Sequence, residues 1–201
     1  LDGGEARKIT QIATEAGGVS FSPDGKHVLF VSDVYPECDS RDPQKALDCN
    51  AARKKAAEDS KVKAHIATRL LFRHWMDWKD GKRSHLFIAP VDGSQPPRDI
   101  TPGDYDVPPF SLGGPDDYAF SPDGNEVCYA VKRDPREALS TNLDLYTVNT
   151  TTGETQKITT NAAYDGSPQY SPDGKYIAYR AQFRPGYEAD RFRLMVYERS
   201  T

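Results

Sequence analysis

Phe21-Ser22-Pro23-Asp24-Gly25-Lys26-His27-Val28-Leu29-Phe30 decides the fold, because the chain writes the phrase twice more. It returns as Phe120-Ser121-Pro122-Asp123-Gly124-Asn125-Glu126-Val127-Cys128-Tyr129 and as Tyr170-Ser171-Pro172-Asp173-Gly174-Lys175-Tyr176-Ile177-Ala178-Tyr179. In each copy proline pre-sets φ for the second turn position, aspartate caps the turn through its side chain, and glycine accepts the positive φ that other residues resist. The chain must reverse there, and the apolar alternation that follows is a strand buried on both faces or nearly so. Self-similarity at a period of roughly 40 to 50 residues marks a propeller or a solenoid.

Further strands are expected at 86–91, 143–148 and 192–197, and the first two run into a turn and a short last strand at 98–101 and 156–159. One unit is therefore four antiparallel strands, A to D, with the Ser-Pro-Asp-Gly turn between A and B. Such a sheet cannot bury both faces alone, and radial stacking of several gives a β-propeller. The opening Arg7-Lys8-Ile9-Thr10-Gln11 reads as a D strand without its own A, B and C, and the end near Glu198-Arg199-Ser200-Thr201 reads as a unit lacking D. The expectation is an all-β, partial propeller of about three four-stranded blades with a partly helical insertion in the first. The blade portions fall at 1–16, 17–101, 117–159 and 167–201, with the insertion at 34–83. Since propellers usually have about four to eight blades, the 201 residues read as a portion of a longer polypeptide.

Fifteen glycines and fifteen prolines suit a turn-rich β protein. No apolar run approaches the roughly 18 residues of a membrane span. A net charge of -4 argues against nucleic-acid binding, which needs a basic face. Cys128, in a B strand, reads as a buried thiol. Cys38 and Cys49 stand in a polar insertion and leave two readings open: a disulfide of an oxidising compartment, or two unrelated thiols. No histidine or second cysteine pair stands at metal-ligand spacing, so neither metal nor other cofactor is expected.

Strand alternation sends the A–B and C–D turns to one face and the B–C and D–A connections to the other. The first kind are short, whereas the second kind run over about 33–84, 133–141, 182–191 and 102–116. Loops longer than the minimum usually carry function, so that rim is the working one. Asp42-Pro43 resembles a helix N-cap followed by proline at the first helical position, and 44–58 is full of helix formers, with Arg53, Lys54 and Lys55 on its solvated side. Arg73, Trp75 and Trp78, beside further cations, either hold a ligand by stacking and charge or anchor the insertion on its blade. In the last loop Glu188 or Asp190 suits a free amine, and Arg180, Arg184 or Arg191 a carboxylate or carbonyl; the same residues also suit an internal salt-bridge network. No nucleophile elbow, paired-histidine metal motif or phosphate loop is present, and His27, His65, His74 and His85 show no evident partners in sequence. No residue of this chain is nominated as catalytic.

Arg73-His74-Trp75, Asp80-Gly81-Lys82-Arg83-Ser84-His85-Leu86-Phe87, the Asp165 to Gly174 stretch and Pro185-Gly186-Tyr187-Glu188-Ala189-Asp190-Arg191 carry a resemblance over nearly the whole chain. The sequence resembles the N-terminal propeller of bacterial prolyl oligopeptidase family serine peptidases, in the acylaminoacyl-peptidase and dipeptidyl-peptidase 5 branch. The resemblance implies an α/β-hydrolase domain with a Ser-Asp-His triad in the same polypeptide, short peptide substrates, and a propeller that gates and orients them. It implies Glu188 as the nearest candidate for a substrate amino terminus, a periplasmic or secreted location with a cytoplasmic one as the alternative, and room for a homo-oligomer. The rival expectation is a TolB-like, non-enzymatic propeller that binds a protein partner.

Overall fold

All three Ser-Pro-Asp-Gly phrases build one turn with one set of hydrogen bonds. The hydroxyls of Ser22, Ser121 and Ser171 donate to Asp24, Asp123 and Asp173 Oδ1 at 2.6 Å. The same aspartate oxygens accept the N–H of Lys26, Asn125 and Lys175. The serine oxygens accept the N–H of His27, Glu126 and Tyr176 at 2.9 to 3.0 Å. Gly25, Gly124 and Gly174 take φ of 68°, 73° and 70°, which lets each N–H reach back to its serine carbonyl at 2.9 Å.

The computed structural model describes residues 4–110 and 113–199; the expectations that touch residues 1–3 and 200–201 lie outside it. The elements in chain order are β1 (Gly17–Phe21), β2 (His27–Val34), α1 (Pro43–Asp59), β3 (Arg73–His74), β4 (Asp77–Trp78), β5 (Arg83–Pro90), β6 (Arg98–Asp99), β7 (Tyr118–Phe120), β8 (Glu126–Val131), β9 (Asp144–Asn149), β10 (Thr155–Lys157), β11 (Asp165–Tyr170), β12 (Tyr176–Ala181) and β13 (Arg193–Glu198). They form antiparallel sheets ordered β1-β2-β5-β6, β7-β8-β9-β10 and β11-β12-β13, with β3-β4 a separate hairpin. The fold is all-β, made of propeller blades with one helical insertion in the first. The fourth strands are shorter than expected, because the hydroxyls of Thr101 and Thr159 accept the N–H of Leu86 and Leu145 at 2.9 Å where a ladder carbonyl would otherwise stand.

Residues 7–11 are not a strand, a correction to the sequence expectation: no described segment stands beside them to complete a ladder. Their side chains nevertheless dock as a blade edge would. Ile9 and Ile12 pack on Val28, Phe30, Val34, Phe87 and Ala89, and Arg7 donates to the Val91 carbonyl at 2.9 Å. Arg98 makes the corresponding link to the Thr150 carbonyl, one blade further on.

The blades pack face to face through their B and C strands. Leu29, Leu86 and Ile88 of the first meet Val127, Tyr129, Val131 and Val148 of the second. Cys128, Ala130 and Leu145 then meet Ile177 of the third. Leu86 pairs with Val31, Leu145 with Ala130 and Leu194 with Arg180, which is one register position in three blades. The first two leucines are 0% exposed and the third 87%, so the neighbouring blade accounts for the difference. Burying such a side chain contributes about 1.5–3 kcal/mol. At the short-turn rim, Pro23 Cδ lies 3.6 Å and Pro122 Cδ 3.7 Å from where a Cβ would stand on Gly124 and Gly174, so successive turns lie side by side.

Candidate functional site

The long rim begins where β2 ends. Asp42 Oδ1 accepts the N–H of Gln44 at 3.1 Å and of Lys45 at 3.4 Å, and Pro43 stands in the first turn, so α1 starts where the sequence places it. Asn50 Oδ1 accepts the Tyr35 N–H at 2.8 Å while its amide donates to the Ala46 carbonyl. A disulfide joins Cys38 to Cys49, with Cα atoms 5.5 Å apart. Arg53 pairs with Glu37 at 2.8 Å and covers the Tyr35 ring. Lys54 donates to the Ala13 carbonyl at 2.9 Å. The helix is thus fixed at several points to the top of the first blade.

The β3–β4 hairpin follows, an element with no sequence forecast. Trp78 is stacked by His65 at 3.9 Å and by Phe72, with Arg73 over its ring at 5.1 Å. Trp75 and Met76 form the tip and are 83% and 85% exposed. Of the pair the sequence singled out, Trp78 anchors and Trp75 projects. Beneath the hairpin lies a buried charge cluster. Asp106 accepts from Lys79, from Arg83 Nη1 at 2.7 Å and from the Ser84 N–H at 2.9 Å. Arg83 also reaches Asp104 at 2.9 Å and Glu137 at 3.2 Å, and Arg69 holds Asp104 with both terminal nitrogens. Burial pulls the Lys79 ammonium below its ordinary pKa against the pull of Asp106. The Arg69 hydrogen bonds hold the Asp104 carboxyl well below the carboxylate range against its partial burial, and Arg83 adds to them.

Between the hairpin and the inner strand β1 lies a cavity of about 630 Å³, walled by Gly18, Asp33, Met76, Trp78, Pro108 and Tyr118 among others. The Tyr118 hydroxyl donates to the Gly18 carbonyl and fixes its floor between the first two blades.

The last loop is mostly occupied with itself. Asp190 Oδ2 accepts from the N–H of Phe183 at 2.8 Å and of Arg184 at 3.2 Å, and from Arg193 at 3.0 Å. The Phe183 N–H above all, with Arg193, brings its carboxyl down to about 2. Gln182 donates to the Glu188 and Asp190 carbonyls at 2.9 and 2.7 Å. Arg180 lies over Phe192 and Arg184 over Tyr187. Glu188 and Arg191 are exposed, and their side chains make no hydrogen bond or ion pair with the described residues. The loops touch in series: Arg83 meets Glu137, and the Gly186 N–H donates to Thr141 Oγ1 at 2.9 Å. No hydrogen bond, ion pair or ring contact joins Arg73, Trp75 and Trp78 to the residues of 180–191 among the described residues.

Two histidines have carboxylate partners that the sequence did not reveal. His65 meets Asp80 at 2.6 Å, and buried His85 meets Asp99 at 2.6 Å and the Gly103 carbonyl at 2.9 Å. Both His85 partners are acceptors, so the ring donates from both nitrogens. Burial works against its charge, yet Asp99 and Gly103 outweigh it and the pKa is raised. Among the described residues no group of three or more His, Cys, Asp or Glu is arranged to hold a metal ion, and no helix is long and apolar enough to cross a membrane.

The family model for the dipeptidyl peptidase IV (DPP IV) N-terminal region matches residues 66–182, more than half of the chain. The chain belongs to that family. Within the DPP IV N-terminal family, dipeptidyl-peptidase 5 of Porphyromonas gingivalis is 37% identical over 190 residues, covering 92% of this chain and 26% of that protein. The chain spans about a quarter of the length of the curated relatives it matches. Among solved structures, Pyrococcus horikoshii acylaminoacyl peptidase matches with a TM-score of 0.59 at 12% identity, over 96% of this chain and 25% of that one. TolB from Acinetobacter baumannii matches with a TM-score of 0.50 at 16% identity, over 96% and 32%. These structures share the fold with this DPP IV N-terminal region.

Proposed function

We propose that this chain is the gating and substrate-positioning propeller portion of a serine-type exo- or oligopeptidase, with the α/β-hydrolase domain in the same polypeptide. The family match, with a dipeptidyl-peptidase 5 at 37% identity, carries the reading. The chemistry belongs to the hydrolase domain: a serine activated by histidine attacks a peptide carbonyl, and an oxyanion hole holds the developing charge. The propeller's part is to admit short peptides and hold one end. Glu188 and Arg191 suit that task, since Asp190, Arg180 and Arg184 are engaged within their own hairpin. The Cys38–Cys49 bond favours an oxidising compartment, periplasmic or extracellular.

The test uses the complete polypeptide with chromogenic dipeptides carrying a free or an acetylated amino terminus. Hydrolysis blocked by a serine-directed fluorophosphonate is expected. Glu188→Gln should raise KM for the free-amine substrate by about tenfold, one ion-pair's worth, and leave the acetylated one unchanged. A polypeptide that cleaves no peptide and instead captures a protein partner would be a TolB-type scaffold and would end this reading.

A further inference from the structure

Three buried side-chain oxygens have no hydrogen-bond partner among the described residues: Asn142 Oδ1, Asp144 Oδ1 and Asp165 Oδ2. The fold gathers them at the seam between the second and third blades. Leu143 and Tyr164 form a parallel bridge, in which the Asp165 N–H donates to the Leu143 carbonyl at 2.9 Å and the Leu143 N–H to the Ala163 carbonyl at 3.4 Å. The next residue on each strand is an aspartate, so Asp144 and Asp165 are cross-strand neighbours pointing to one side. Asn142, two residues before Asp144, shares that side, and its amide donates to Asp144 Oδ2 at 3.2 Å. Asp144 is 5% and Asp165 0% exposed.

The charges there do not balance. Lys157 Nζ lies 2.7 Å from Asp144 Oδ2 and answers one carboxylate. Asp165 has the neutral amide of Asn161, at 3.0 Å, on its other oxygen, with the neutral Thr159 hydroxyl beside the carboxylate and the one lysine shared with Asp144. A cation satisfies all three oxygens at once, and neutral or anionic oxygens without nitrogen or sulfur are the donor set of a hard ion.

We propose that Asn142, Asp144 and Asp165 form a binding site for a hard divalent cation of the calcium class. The site braces the last rim loop. Asn161, which holds Asp165, also donates to the Gln182 carbonyl at 2.6 Å, and the Gln182 side chain holds the Glu188 and Asp190 carbonyls. An ion there ties the blade seam to the loop that carries Glu188.

The complete polypeptide, stripped with EDTA, is titrated with calcium chloride and with magnesium chloride, and binding stoichiometry and thermal unfolding are read. The wild type should bind one more calcium than Asp165→Asn, and calcium should raise the Tm of the wild type by several degrees and of the variant by less. Should Asp165→Asn fail to fold, Asn142→Asp adds a carboxylate to the site and should tighten calcium binding by about tenfold. Equal stoichiometry in wild type and Asp165→Asn overturns the proposal. So do unchanged affinity in Asn142→Asp, a response to magnesium as strong as to calcium, and a crystal structure in saturating calcium with only water between the three oxygens.

Discussion

Asp106→Asn would test whether the buried charge cluster holds the hairpin to the blade. Asp106 is 1% exposed at its side chain, and Lys79 and Arg83 beside it are 7% and 6%. Arg83 keeps Asp104 and Glu137 after the change, but Lys79 loses its ion pair. Breaking a buried pair by removing one charge costs about 3–5 kcal/mol. The expected loss is the lower part of that range, near 3 kcal/mol, because the Asp33 charge still acts on Lys79. With a urea dependence of about 2 kcal/mol per molar, the midpoint should fall by about 1.5 M. Both tryptophans of the chain lie in the hairpin, so their fluorescence reports it while far-UV circular dichroism reports the sheets. Fluorescence should therefore move to lower urea before the dichroism does. Adding Lys79→Met to Asp106→Asn removes the stranded charge and should recover most of the loss. A double variant less stable than Asp106→Asn, or a single variant that unfolds like wild type by both probes, refutes the reasoning.

Leu145→Ala should destabilise by about 2–5 kcal/mol, whereas Leu194→Ala at the same register position should change urea stability by less than about 0.5 kcal/mol. Equal costs would mean that the blades do not stack as described. Ser121→Ala removes the donor to Asp123 and the acceptor for the Glu126 N–H at a buried turn, and should cost about 1–3 kcal/mol in urea unfolding at neutral pH. Asp123 is held below its ordinary pKa, first by the Ser121 hydrogen bond, so this contribution is present above the carboxylate range and is lost as pH falls through the depressed value; a Ser121→Ala cost that grows on acidification contradicts it. His85 has a raised pKa, so its stabilising charge is present below about pH 6.5 and is lost as pH rises through the folded value. His85→Gln should therefore lower Tm more at about pH 6 than at alkaline pH, and the reverse order would rule out the doubly donating ring.

The turns and α1 were legible because their determinants are local. Ser121, Asp123 and Gly124 close their hydrogen bonds within a few residues, and Asp42 caps a helix that starts beside it. The charge cluster was not legible, since Arg83 finds Glu137 across 54 residues and Asp106 across 23. Nothing in the spacing of those residues announces the meeting. The β3–β4 hairpin was missed because its strands have two residues each and draw their stability from rings stacked on Trp78 rather than from alternation. Asp190 and Glu188 looked equivalent in sequence, two acids two residues apart. Only the backbone of Phe183 and Arg184, folded back onto one of them, distinguishes the engaged carboxylate from the free one.

Pro23 beside Gly124 and Pro122 beside Gly174 make the short rim a collar of like turns set side by side. A methyl group at one reversal would meet its neighbour at ordinary contact distance but strain its own backbone, whose φ is near 70°, so change there is limited turn by turn. Among the described residues the reversals of the opposite rim are linked by single contacts, such as Arg83 to Glu137 and the Gly186 N–H to Thr141. A lineage can therefore trade the stretch between β2 and β5 for another of any length while the collar keeps the blades in step, and diversification proceeds from one side only.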